Sequence, residues 1–184
     1  FIFEMISVTF AFATAIYTGV LLKSMRYTPI WNTPLLPTLF LASALSTGSM
    51  VVVLSVMSYG LLASSGDSLL PLIHGVIRVE QILILIEGFL LAVYLWAVYR
   101  KVDQGKGSVH LLLFGDLKWL FWGGIVASGF FFPIILESLY SQLPGYPVLL
   151  VLTGLFLLCG GFLLRSGVIA AGIKEQFPMH RFIE

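Results

Sequence analysis

Five apolar stretches, each longer than the about 20 residues a helix needs to cross a bilayer, leave this chain few folds to choose from. They cover roughly 1–25, 34–63, 74–100, 116–138 and 148–173. Each is long enough to cross with some tilt. Period-two alternation is absent, which argues against a β-barrel. The reading is an all-α integral membrane protein whose 184 residues form one transmembrane domain, 59% hydrophobic and only 10% charged. A soluble domain carries about 25% charged residues. A mean hydropathy of +1.02 asks for lipid as the solvent.

The basic residues orient the spans. The first connection holds Lys23 and Arg26, the third holds Arg100, Lys101, Lys106 and Lys118, and the tail holds Lys174 and Arg181. Connections 64–73 and 139–147 hold none. Positive charge stays inside, so the first and third connections and the C-terminus are expected on the cytoplasmic side of the cell (inner) membrane. Tyr27, Trp31, Tyr94, Trp96, Tyr99, Trp119 and Trp122 then gather at the inner interface, and Tyr59, Tyr140 and Tyr146 at the outer one. Segment 109–115 is too short to span and is expected to lie in the interface. Pro133 removes a helix donor and is expected to kink the fourth span. The chain opens at Phe1 in apolar sequence, with no Met and no basic n-region, and reads as a fragment without a signal peptide.

Small residues offer packing faces: Ser43/Thr47 and Ala44/Gly48, Gly123/Ala127 and Gly124/Ser128, then Gly160, Gly161 and Gly167/Ala171. Metal and haem chemistry has little to work with. His74, His110 and His180 sit at a span end, in a loop and in the tail, so no bis-His haem site is expected. Cys159 is alone in an apolar run and reads as a buried, inert thiol, and no basic block suits nucleic acid.

Ionisable groups inside spans are costly and face the bundle interior. They are Glu4, Arg78, Glu80, Glu87, Glu137 and Arg165. Glu80 and Glu87, two turns apart, share one face, with Gln81 beside them. Arg78, Glu80, Glu87 and Arg165 are read as a proton route or quinone pocket, or as ion pairs that hold the bundle. Glu137 is placed at the outer interface. Counting about 1.5 Å per residue, Glu87 lies roughly 20 Å and Arg165 roughly 26 Å below the outer end. That similarity of depth predicts that the third and fifth spans are neighbours and that the two side chains pair.

The most distinctive sequence flanks the first connection. Tyr17-Thr-Gly-Val-Leu-Leu is followed by Pro29-Ile-Trp-Asn and by Leu36-Pro-Thr-Leu-Phe-Leu-Ala-Ser-Ala, ending at Gly48. With Phe121-Trp-Gly-Gly through Pro133, and Gly160-Gly-Phe-Leu-Leu-Arg through Gly172, it resembles the NrfD/polysulfide reductase membrane subunit family over most of the chain.

The resemblance implies about eight or more spans in two four-helix bundles, of which this chain would be the C-terminal part, from the fourth span on. It implies a subunit with no redox cofactor of its own. Quinone would be its exchangeable substrate, with an iron–sulfur subunit and a molybdopterin-type catalytic subunit as partners. It carries Tyr17 and Glu4 as quinone-binding candidates, a hydroxyl to donate to a quinone carbonyl and a carboxylate to take a quinol proton. The departure is that the family's quinone pocket is built mostly from the first bundle, of which only the last helix is here. Two rivals stand beside a quinone-interacting subunit: a fragment of a secondary transporter or proton channel, and a purely structural membrane anchor.

Overall fold

The computed structural model describes residues 2–25, 28, 30–62, 66–101, 103–143 and 146–172, all of them helix or short connection. Arg26, Tyr27, Pro29, Lys174, His180 and Arg181 lie outside the described residues, and the side chain of Lys101 is likewise not described. The helices are α1 (Ile2–Ser24), α2 (Leu35–Leu62), α3 (Gly66–Lys101), α4 (Asp103–Leu113), α5 (Leu120–Gln142) and α6 (Val148–Ala170). Five of them are long and apolar enough to cross a membrane, and α4 is the short sixth.

The third helix begins eight residues before the expected 74 and runs through Pro71. His110 is on α4 rather than in a loop. α5 changes winding along its length. Leu120–Phe131 is a π-helix, and Phe132–Gln142 is α. At the change the Phe132 N–H donates to the Ala127 carbonyl, five residues back. Pro133 therefore falls within the first turn of an α segment, where a missing donor costs least. A change of winding stands where the sequence predicts a kink.

α2 is the centre of the bundle. It packs against α1, α3 and α6, and α6 packs in turn against α5. α3 and α6 each pack against α2 and, among the described residues, form no extensive interface with each other, which corrects the expectation that they are directly packed neighbours. α1 packs against α2 and, among the described residues, buries only Gly19 and Leu22.

Glycine sets the closest approaches between spans. A Cβ on Gly160 would come within 2.7 Å of the Gly129 nitrogen and closer still to its Cα, and one on Gly19 within 2.5 Å of the Pro37 Cα. At these two points backbone meets backbone, so α5 crosses α6 and α1 meets α2 where no side chain fits. Gly48 and Gly123, both in the small-residue patterns, have nothing within 4 Å and face open space.

The α1–α2 connection is tied into the bundle. The Trp31 indole N–H donates to the Val168 carbonyl at 2.8 Å, and the Tyr94 hydroxyl donates to the Ile30 carbonyl at 2.5 Å. Two apolar clusters fill the interior. One holds Ile30, Phe40, Tyr94, Leu112, Ile125 and Leu164, at the end where α4 lies. The other holds Met50, Ile77, Ile84, Tyr140, Leu150 and Leu157, toward the α5–α6 connection. Tyr94 and Tyr140 are thus core residues, not belt residues, because each ring is needed to fill a cluster. Trp96, Tyr99, Trp119 and Trp122 are exposed, as rings at headgroup depth should be.

Cys159 is exposed on the outer surface of α6, not buried. Buried Leu157 and Gly160 define the inner face of that helix, and position 159 falls on the other side.

Candidate functional site

Polar groups inside an apolar bundle mark where chemistry or strain is concentrated. Glu80 sits on the buried face of α3 between Ile77 and Ile84, and Glu87 lies two turns on, between Ile84 and Leu91. Glu80 is 0% exposed and Glu87 6%. The shared face read from their spacing is therefore the interior face. Arg78, two residues before Glu80, points out of the bundle.

Glu87 looks toward α2 and α6. The Ser43 hydroxyl of α2 lies against its carboxyl, and the Arg165 charge of α6 acts on it from beyond. The geometry falls short of a formed bond, since the Ser43 hydroxyl and the Arg165 Nε have no hydrogen-bond partner. The Arg165 guanidinium stands 5.8 Å over the Phe40 ring, a cation–π position. The predicted pairing of Glu87 with Arg165 thus takes the form of an attraction without a formed ion pair, with the Ser43 hydroxyl also at the Glu87 carboxyl.

Glu80 faces a different partner. Glu137 of α5 is 0% exposed as well, and the two carboxyl groups lie together, with the Gln81 side chain beside Glu137. None of the four carboxyl oxygens has a formed hydrogen bond. Glu137, expected at the interface, is fully inside. The winding of α5 turns it inward, and nothing in the local sequence announces this. Tyr140 follows it on the buried side, and the His74 ring stands 6.1 Å from the Tyr140 ring.

Tyr17 and Glu4 are both exposed on α1, Tyr17 by 63%. Thirteen residues separate them, about 20 Å along the axis and most of the way to opposite sides of the helix. They do not form one site. Beside them, Ala11, Phe12 and Ala15 of α1 and Leu41, Ala44 and Leu45 of α2 line an open apolar cleft. Among the described residues no three His, Cys, Asp or Glu side chains converge on a point that would hold a metal ion.

A family model described as polysulphide reductase, NrfD, matches residues 1–175. The chain belongs to the NrfD family. It is 31% identical over 172 residues to the C chain of polysulfide reductase from Wolinella succinogenes, a match that takes in 92% of this sequence and 53% of that one. It is 29% identical over 171 residues to protein NrfD of Escherichia coli, with 92% and 52% covered. The C subunit of selenate reductase from Mesobacillus selenatarsenatis is 27% identical over 147 residues, with 78% of this sequence and 32% of that protein covered. The chain spans about half the length of the first two relatives. No solved structure matches it.

The segments that carry the NrfD resemblance also make the close contacts between spans. Gly19 abuts Pro37, Trp31 is bonded to α6, and Gly160 meets Gly129.

Proposed function

We propose that this chain forms part of the membrane subunit of a respiratory reductase complex, and that the subunit exchanges electrons between a membrane quinone and an extrinsic iron–sulfur subunit serving a molybdopterin-type catalytic subunit. The observation that carries the proposal is the family match along nearly the whole chain, with relatives that are themselves subunits of polysulfide and selenate reductases. The form of α1 supports it. Its outward side is open along almost its full length, and its cleft with α2 is lined by apolar side chains, as a quinone's hydrocarbon tail requires.

Tyr17 and Glu4 take separate parts, since one ring cannot touch both. The Tyr17 hydroxyl donates to a quinone carbonyl, and Glu4 moves protons nearer the opposite end of α1. Tyr17→Phe removes one hydrogen bond, worth about 1 kcal/mol, and should slow quinol-dependent turnover of the intact complex roughly fivefold. Glu4→Gln should slow the same assay while electron transfer from an artificial donor stays normal. Full quinol activity in both variants, with normal assembly, would sink the assignment of these residues.

Orientation follows from the basic connections, with the C-terminus in the cytoplasm of a bacterial cell. With the exposed Cys159 first replaced by Ala, a thiol reagent that cannot cross membranes should label Lys106→Cys only from the cytoplasmic side. Labelling from the outside alone would reverse the topology.

A further inference from the structure

We propose that Glu80 and Glu137 form a proton-binding site, in which the two carboxyl groups share a proton across the α3–α5 interface. The proposal is independent of the quinone role, because it rests only on the interior of this bundle. Both side chains are 0% exposed, and all four of their oxygens lack a hydrogen bond. Each carboxyl group is fully buried and unpartnered, and the two lie together.

Every element around the pair bears on its charge. On α3 itself, Gln81 is neutral and Arg78 points outward. On α5, Tyr140 continues the buried side, and His74 of α3 packs by its ring. From α2 come Met50 and Val53, which are apolar, and from α6 Leu150 and Leu157. The cation inside the bundle, Arg165, acts on Glu87 two turns away.

Two ionised carboxylates here would repel each other in a medium that screens little. Each would also remain a buried charge without a counter-charge. One proton changes both facts. It removes one charge and supplies the O–H donor that the four oxygens lack, so that one carboxyl donates to the other. A metal cation is the other ligand such a pair could take. It would need several further oxygens, and no third carboxylate or imidazole among the described residues converges there. The chemistry favours the proton. The His74 and Tyr140 rings pack together on the side of the pair toward the α5–α6 connection.

Infrared difference spectroscopy on the assembled complex in lipid tests this. At neutral pH the wild type should show the carbonyl stretch of a protonated carboxylic acid, shifted by transfer to heavy water. The E80Q/E137Q double variant should lose it. Glutamine keeps the size and the hydrogen-bonding capacity of glutamate, so the bundle is expected to assemble. If the double variant does not assemble, the wild type is treated with a hydrophobic carbodiimide, which attacks protonated buried carboxyls. An adduct mapped to Glu80 or Glu137, unaffected by sodium, supports the shared proton. A band unchanged in the double variant, an adduct on neither residue, or protection of the adduct by sodium each overturns it, the last in favour of a cation site.

Discussion

Gly160→Ala is expected to separate α5 from α6 and to cost about 3 kcal/mol or more of stability. The added methyl would press on the Gly129 Cα and sit 2.7 Å from the Gly129 nitrogen. Neither is the free end of a side chain, so the helices themselves must move apart. The damage spreads because the same two helices hold Gly124 against Leu163 and Gly167 against Leu120 and Ile125. Gly123→Ala is the control, a glycine on the π stretch of α5 with nothing within 4 Å. Heating the detergent-solubilised complex and following the loss of its monodisperse peak compares the two. Gly160→Ala should unfold well below wild type, and Gly123→Ala together with wild type. Equal stability of the two variants would mean that the crossing is not where the structure has it.

The second large effect belongs to Arg165. Its charge acts on the buried Glu87 carboxyl, and Arg165→Met leaves that carboxyl buried with the Ser43 hydroxyl beside it. Removing one partner of a buried pair costs about 3–5 kcal/mol when the partners touch. Here no ion pair is formed, so roughly 2 kcal/mol is the reasonable expectation. Glu87→Gln added to Arg165→Met should recover most of the loss, because methionine fills the space and glutamine carries no charge. The double-mutant cycle is the measurement. Additive losses would show that the two charges do not interact.

Much of this bundle is legible in the residues. Five apolar runs mark five spans to within a few residues, except where α3 starts early through Pro71. Spacing by seven puts Glu80 and Glu87 on one interior face, because that rule depends on helix geometry alone. Partners are harder. Depth along the membrane can be counted in one dimension, which sets Glu87 and Arg165 at similar heights. The order of helices around the bundle cannot be counted, and both helices pack mainly on α2 or other neighbours rather than on each other. The small-residue patterns have the same weakness. Gly48 and Gly160 look alike in sequence, yet one faces open space and the other meets backbone. Glu137 escapes a sequence reading because its distance from the last polar connection resembles that of an interfacial residue. Its burial depends on a neighbour on α3, 57 positions earlier in the sequence.

The π winding of α5 has a consequence for reading any helix of this kind by its period. The residues Phe121, Ile125, Gly129, Pro133 and Glu137 recur every four positions, and all are buried. In an unbroken α-helix a step of four overshoots a full turn by about 40°, so sixteen residues would carry the last side chain about 160° away from the first. The wider coil of the first half turns more slowly, lags, and cancels the overshoot of the second. Phase, rather than composition, thus decides which way the Glu137 carboxylate faces. A helical wheel drawn at constant pitch points it at the hydrocarbon, while the real backbone delivers it to Glu80.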